Sequence, residues 1–239
     1  MLQVFASPSR YSQGPGATAW LGAEMKGLGL EGPLLVVAGR SPLEKLGAVW
    51  AKSFPDAGFR HEVLPFGGEC CLSEIARGVA AARSLGARTI VGAGGGKALD
   101  TARAVAAELG LEVVCCPTVA STDAPVSALS IIYDESGAVV EIRPHPRHPA
   151  LVLVDSAVIF RAPKRFLVAG MGDALSTCFE ARACDRSGAP NCRGGRLTRA
   201  ALALAELCRR TLFEDGPTAL AAMDAGAVSP AFERIVEAN

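Results

Sequence analysis

Residues 89–101 have the sequence TIVGAGGGKALDT, in which a short apolar segment runs through three consecutive glycines into a helical pattern. Glycine lets a backbone approach a ligand closely, and the free N–H groups at a helix start face an anion. The apolar residues recur at helical spacing: Leu99, Ala102, Val105, Ala106 and Leu109. The polar ones fall on the remaining faces: Lys97, Asp100 and Arg103. The stretch therefore predicts a strand, a turn and a helix that bind a nucleotide phosphate, with a turn that binds nothing as the alternative.

The composition predicts a soluble, cytoplasmic globule. Half of the 239 residues are hydrophobic, and Lys plus Arg and Asp plus Glu both number 24. That balance leaves no basic surface for nucleic acid or an anionic membrane. No apolar run approaches the roughly 20 residues that span a bilayer. We therefore expect neither a nucleic-acid nor a membrane partner.

The cysteines and histidines do not form a recognisable metal motif. None of the eight cysteines belongs to a C-x-x-C pair, so buried, reduced thiols are favoured over a zinc or disulfide framework. His145 and His148 lie among three prolines, which exclude a helical pair of ligands, and His61 opens a predicted strand.

Short β-rich runs alternate with helical patterns in residues 1–160, which predicts a Rossmann-like, doubly wound α/β domain. The predicted strands are Leu34 to Ala38, Glu62 to Phe66, Thr89 to Gly92, Glu112 to Cys116 and Leu151 to Val154. Two further helices are expected over Pro42 to Ser53 and Leu72 to Leu85. A β-hairpin is expected from Ser127 to Tyr133 and Ala138 to Ile142.

Residues 161–239 carry no β pattern and predict an all-helical domain. The expected helices are Phe166 to Arg186, Arg193 to Leu212, Pro217 to Ala225 and Pro230 to Asn239. Because the last pattern stops without a Gly or Pro signal, we expect this domain to be incomplete.

Two further polar sites have open interpretations. The loop from Thr118 to Leu129 follows a predicted strand at its carboxyl end, where open α/β sheets bind ligands, but its Ser, Thr and Asp residues also suit a turn bonded to itself. Asp173 follows two glycines, so physical reasoning favours a helix N-cap over a metal ligand.

Several motifs in one order resemble the glycerol dehydrogenase branch of the iron-containing (group III) alcohol dehydrogenase family. They are Gly94-Gly95-Gly96-Lys97-x-x-Asp100, Ser121-Thr122-Asp123-Ala124-Pro125, Phe66-Gly67-Gly68-Glu69-Cys70 and the series Asp155, Pro163, Gly170, Asp173 and Glu180. The resemblance covers essentially the whole chain and implies NAD-dependent oxidation of a polyol, glycerol, to dihydroxyacetone.

The resemblance also implies roles for individual residues. The pyrophosphate of NAD would be held by Gly94, Gly95, Gly96, Lys97 and Asp100. The remaining length of NAD would be lined by Thr118, Ser121, Ser127, Leu129 and Tyr133. Asp123 would contact glycerol, and Asp173 would be one of three ligands to a catalytic divalent ion, zinc, the other two being histidines. A homo-oligomer is expected.

This chain departs from the family pattern at two places. The family's histidine ligands lie downstream of the Glu233 helix, and His61, His145 and His148 do not match them, so the metal site is expected to be incomplete. Gly39-Arg40 follows the first predicted strand, Leu34 to Ala38, where the family usually has an Asp for the adenosine ribose. Loss of that carboxylate predicts either acceptance of NADP, with Arg40 pairing the 2′-phosphate, or merely weaker NAD binding.

The sequence therefore predicts an NAD(P)-dependent polyol oxidoreductase. Two alternatives stay open. The chain is a nucleotide-binding or oligomerisation module without catalysis, or it acts on polyol or sugar phosphates. The second alternative needs a basic pocket, and the segment from Thr118 to Tyr133 holds no Lys or Arg.

Overall fold

The computed structural model describes all 239 residues and divides into two compact units. The α/β unit comprises Pro8–Val119 and Ala124–Ile159, and the helical unit comprises Met1–Ser7, Ala120–Asp123 and Phe160–Asn239. The sequence placed all of residues 1–160 in the α/β domain. The contacts assign the two short segments Met1–Ser7 and Ala120–Asp123 to the helical unit instead.

The α/β unit contains eight strands and five helices. The strands are β1 (Tyr11–Gly14), β2 (Leu34–Ala38), β3 (His61–Pro65), β4 (Thr89–Gly94), β5 (Glu112–Pro117), β6 (Leu129–Tyr133), β7 (Val139–Pro144) and β8 (Leu151–Asp155). The helices are α1 (Leu21–Gly27), α2 (Arg40–Asp56), α3 (Leu72–Leu85), α4 (Gly96–Leu109) and α5 (Ser156–Phe160). β1, α1 and α5 have no counterpart among the elements predicted from the sequence.

Six of these strands form one parallel sheet in the order β1-β8-β5-β4-β2-β3. The chain leaves β2 toward β3 at one edge, and it leaves β4 toward β5 in the opposite direction. The carboxyl ends of β2 and β4 therefore flank the switch point of a doubly wound sheet, where such sheets bind ligands. The expected fold class is confirmed.

Alternate residues of the buried strands pack on opposite faces of the sheet. Val36 and Val91 belong to a core cluster with Trp50 and Phe54 of α2. On the opposite face β4 approaches α4 very closely, since a Cβ on Gly92 would lie 2.7 Å from the Cβ of Ala102. The apolar stripe predicted for α4 is thus a packing surface against the sheet.

The predicted hairpin forms a separate two-stranded antiparallel sheet, β6 with β7. Its turn is held by Asp134, whose Oδ1 accepts the N–H groups of Ser136 at 2.8 Å and Ala138 at 3.0 Å. β6 begins at Leu129 rather than at Ser127, because Ala124–Val126 form a single 3₁₀ turn immediately before it.

The helical unit contains α6 (Lys164–Ser187), α7 (Arg199–Asp224) and α8 (Pro230–Ala238). Its N-terminal segment is tied to Arg196, whose carbonyl oxygen accepts the N–H of Val4 at 3.1 Å. Residues 120–123 approach α6, since a Cβ on Gly170 would lie 2.3 Å from the carbonyl oxygen of Ala120. These contacts place both short segments with the helices.

The separate helices predicted over Arg193 to Leu212 and Pro217 to Ala225 are one helix, α7. It begins later than expected because Thr198 is the N-cap, its Oγ1 accepting the N–H of Ala201 at 3.1 Å. It continues through Pro217 because the buried residues Leu212, Gly216 and Ala219 keep one face packed on both sides of the proline. Packing therefore overrides the helix-breaking tendency of this proline.

No helix combines the length and the apolar character that a membrane-spanning segment needs.

We predict that Gly92→Ala destabilises the α/β unit by about 1–3 kcal/mol, because neither the strand nor the Ala102 Cβ can move away cheaply. Gly47→Ala is the matched control. Its added Cβ would lie 3.7 Å from Leu43 Cδ1, an ordinary contact inside α2, so it should stabilise by about 0.5–1 kcal/mol. Urea unfolding of both variants measures the difference, and equal stabilities would contradict the close strand–helix approach.

Candidate functional site

The glycine turn lies at the switch point of the sheet. The N–H of Gly39, after β2, donates to the carbonyl oxygen of Ala93 in β4 at 3.0 Å. A Cβ on Gly94 would lie 2.9 Å from the Cβ of Ala98, so the turn cannot carry a side chain there without shifting. Gly95 is the N-cap of α4, and no side chain caps that helix. Its first N–H groups are therefore available to an anion.

The position after β2 carries no carboxylate. Gly39 is the N-cap of α2 in extended conformation, and Arg40 after it is exposed. A Cβ on Gly39 would lie 3.5 Å from Pro42 Cδ, an ordinary contact. The backbone would accept a side chain at this position.

Lys97 is held by two other segments of the α/β unit. Its Nζ donates to Glu69 Oε2 at 2.6 Å and lies 4.4 Å from the ring centroid of Tyr133. The hydrogen bond to Glu69 raises the pKa of Lys97. The structure thus brings together Lys97 and Tyr133, two predicted cofactor residues, and adds Glu69.

Asp100 and Arg103, on the faces of α4 that the apolar stripe leaves over, are both buried. Asp100 Oδ1 accepts a hydrogen bond from Arg103 Nη1 at 2.7 Å, and its Oδ2 accepts the N–H of Ile131 at 3.0 Å. Burial raises the pKa of Asp100, although Arg103 and this N–H oppose the shift. Both carboxylate oxygens of Asp100 are engaged within the protein, so its contact with pyrophosphate stays a prediction that this geometry does not favour.

The guanidinium of Arg103 reaches the predicted cofactor loop. Its Nη1 also donates to the carbonyl oxygen of Leu129, and its Nη2 donates to that of Ala124. One buried side chain therefore fixes both ends of the segment that carries Ser127.

Two other residues of that loop fit different predictions, one ligand binding and the other a turn held by its own hydrogen bonds. The N–H of Thr118 donates to the carbonyl oxygen of Gly94 at 3.0 Å, which places Thr118 beside the glycine turn. Ser127 Oγ instead forms hydrogen bonds within the loop, to the carbonyl oxygen of Ala124 at 3.2 Å and to that of Leu129 at 3.3 Å. Thr118 suits a binding role, and Ser127 has the self-bonded geometry of a turn.

Two of the histidines are used structurally. His145 is buried and its Nε2 lies 2.8 Å from Ser130 Oγ. Burial lowers the pKa of His145 to about 4, assisted by Arg103 and Arg143. His148 Nδ1 lies 2.9 Å from the carbonyl oxygen of Val126. The His148 ring thus contacts the segment before β6 and the His145 ring contacts β6 itself, so the two rings do not form a ligand pair.

Asp173 lies inside α6, so its interpretation as an N-cap is wrong. The helix begins at Lys164, after Pro163, and the two glycines near Asp173 lie within it. Asp173 Oδ2 accepts the N–H of Asp123 at 3.0 Å, so the predicted metal ligand and the predicted polyol contact are neighbours in the helical unit.

The residues present do not complete a metal site. No group of three His, Cys, Asp or Glu side chains is arranged to hold an ion. A catalytic zinc ordinarily has three protein ligands and a water. The family resemblance assigns Asp173 as one of them, and that assignment stays a prediction.

Comparison with known proteins identifies the lineage. Residues 8–156 match the profile of the family described as "Iron-containing alcohol dehydrogenase". The chain belongs to that family. It is 48% identical over 241 residues to a glycerol dehydrogenase of Escherichia coli O6:H1 and 43% identical over 239 residues to a glycolaldehyde reductase of Halobacterium salinarum. Each alignment covers 100% of this chain and 65% of the relative.

A solved member of the family has the same architecture. The crystal structure of a probable glycerol dehydrogenase from Sinorhizobium meliloti 1021 has a TM-score of 0.92 and 41% identity, and the match covers 99% of this chain and 64% of that one. The chain thus spans about 65% of the length of the curated relatives it matches.

Sequence reasoning missed two residues of the site, Glu69 and Arg103. Glu69 lies in a loop far from Lys97 in the sequence, and no local sequence pattern indicates that the two residues pair. Arg103 had a usable signal, because an Asp and an Arg three residues apart on one helix can pair.

We predict that Arg103→Met destabilises the α/β unit by about 3–5 kcal/mol, because the buried Asp100 carboxylate loses its cation. Arg88→Met is the matched control. Its pair with Glu31 is exposed on both sides, so the change should cost at most about 1 kcal/mol. Urea unfolding gives both values. Equal losses of stability for the two variants would contradict the prediction that breaking the buried pair costs more than breaking the exposed one.

Proposed function

We propose that this chain is a polyol oxidoreductase of the glycerol dehydrogenase type that binds a nicotinamide dinucleotide at the carboxyl edge of its parallel sheet. The supporting observation is the uncapped glycine turn at the switch point, in a chain with 48% identity along its whole length to a glycerol dehydrogenase. Other support is the cluster of Lys97, Tyr133 and Thr118 around that turn.

In this proposal the first N–H groups of α4 and the Lys97 ammonium bind the pyrophosphate. The remaining length of the cofactor would lie along Thr118, Ser127, Leu129 and Tyr133. In the helical unit, Ser121 is the proposed further cofactor contact, Asp123 the proposed contact to a polyol hydroxyl, and Asp173 one proposed ligand of a divalent ion such as zinc.

The proposed reaction transfers a hydride from the secondary carbon of glycerol to the nicotinamide and releases the hydroxyl proton, giving dihydroxyacetone and the reduced cofactor. The ligand set for the ion is incomplete among these residues, so no step is assigned to it. The chain's own contribution is to bind and orient the dinucleotide.

Gly95→Asp tests the anion site directly. Asp is a good N-cap and a Cβ there would lie 3.5 Å from Val119 Cγ2, so the fold should persist. The new carboxylate would accept the helix N–H groups and repel phosphate, weakening NADH binding by at least about tenfold. Gly95→Ala, which adds the Cβ without charge, is the control.

The same experiment measures glycerol-dependent reduction of NAD and NADP by the wild-type chain, with added zinc and with a chelator. Turnover that the chelator abolishes supports the complete proposal. NADH binding that is equal in wild type and Gly95→Asp would contradict the assignment of the glycine turn.

A second candidate function is dinucleotide binding without turnover, which is considered because no three His, Cys, Asp or Glu side chains of these residues are arranged to hold an ion. Intact NADH binding with no zinc-dependent reaction would identify it. The alternative of a phosphorylated substrate gains no support, because the guanidinium of Arg103 that reaches the loop already donates to Asp100, Ala124 and Leu129.

We further propose that NADP is accepted, because Gly39 removes a carboxylate that would repel a 2′-phosphate and Arg40 is exposed beside it. Gly39→Asp should weaken NADPH relative to NADH by about tenfold or more, while its cap leaves stability within a few tenths of a kcal/mol. Gly39→Asn caps equally well without charge and should leave the preference nearly unchanged. A wild-type preference of about tenfold or more for NADH would contradict the proposal.

A further inference from the structure

Glu69 is the one carboxylate that touches a predicted phosphate-binding side chain. It lies in the loop between β3 and α3, and its Oε2 accepts a hydrogen bond from Lys97 Nζ at 2.6 Å. Lys97 is in the first turn of α4, directly after the glycines. A negative charge is therefore built into the edge of the proposed anion site.

The carboxylate is held in place by its own loop. Glu69 Oε1 accepts the N–H of Cys70 at 2.9 Å, and the carbonyl oxygen of Cys70 accepts the N–H of Tyr133 at 2.8 Å. The Tyr133 ring in turn lies against the Lys97 ammonium, 4.4 Å from Nζ to its centroid. Three segments of the α/β unit thus fix one ion pair.

The pair remains accessible to a ligand. The side chains of Lys97 and Glu69 are 46% and 28% exposed. An arriving phosphate can therefore reach the ammonium, but it meets a cation whose charge is already neutralised. A phosphate near Nζ also lies within a few ångströms of the carboxylate, and like charges at that separation repel.

We infer that Glu69 sets the affinity of the dinucleotide site: it occupies Lys97 while the site is empty and repels the pyrophosphate when the cofactor binds. This inference rests on the proposed function, since it assigns a role within the same site. Glu69 lowers affinity and speeds release of the cofactor, and Lys97 is the group through which it acts.

The test is a double-mutant cycle on the 239-residue chain, with Glu69→Gln, Lys97→Gln and the double variant. Gln keeps an oxygen that can accept the Cys70 N–H, so the loop should persist. The probes are NADH and inorganic pyrophosphate, each titrated at low and high salt.

We expect Glu69→Gln to bind both probes about 3- to 15-fold more tightly at low salt, with a steeper loss of affinity as salt rises. Lys97→Gln should weaken binding. In the Lys97→Gln background, Glu69→Gln should no longer raise the affinity for either probe, because the Lys97 ammonium that it would leave unpaired is absent. Glu31→Gln, which breaks an exposed pair with Arg88, should leave both affinities unchanged.

Unchanged or weaker binding by Glu69→Gln would overturn the inference, since Glu69 would then be inert or would position Lys97. Equal gains with and without Lys97 would overturn it as well. If NADH does not bind the wild type while pyrophosphate binds and tightens in Glu69→Gln, the dinucleotide function fails and the role of Glu69 stands. If neither probe binds any variant, both fail.

Discussion

The buried ion pair of Asp100 and Arg103 joins the parts of the cofactor edge that are far apart in sequence. Both residues lie on α4, the helix that directly follows the glycine turn. Through the backbone of Ala124, Leu129 and Ile131 the pair fixes the loop after β5 and the first strand of the hairpin. A buried pair is a weak source of net stability, because desolvation of both ions offsets their attraction. Its value here is specificity, since any other arrangement of loop and hairpin would leave a charge buried without a partner.

The regular part of the fold could be predicted from the sequence because its signals are local. The apolar runs of β2, β4, β5 and β8 are fully buried, and such strands give continuous hydrophobic segments between helical patterns. The failures have physical causes. Pro217 breaks isolated helices, but packing keeps α7 continuous. Burial of the polar side of α4 could not be predicted, because a periodic pattern does not show whether water or a hairpin covers the charged residues.

The candidate site likewise has a part that could be predicted from the sequence and a part that could not. The glycine turn and its position at a strand end could be predicted, since strand, turn and helix are consecutive. Lys97, Tyr133 and Glu69 come from three segments, and only the folded sheet brings them together. Asp173 shows the opposite limitation. Its neighbouring glycines suggested a helix start, yet α6 begins earlier and contains them. The roles assigned to individual cofactor residues rest on resemblance and remain predictions.

The hairpin has one satisfied edge and one open edge. On the edge of β6 that faces away from β7, three backbone groups are hydrogen-bonded. The carbonyl oxygen of Leu129 accepts from Arg103, the N–H of Ile131 donates to Asp100, and the N–H of Tyr133 donates to the carbonyl oxygen of Cys70. These contacts replace the hydrogen bonds that a neighbouring strand would form. β7 has no comparable cover, and Val139, Val140 and Ile142 are exposed along it. An uncovered apolar edge is a template for strand pairing between molecules, and the charges of Glu141 and Arg143 counteract it. The balance between these apolar and charged residues of β7 therefore decides whether two molecules can pair along this edge.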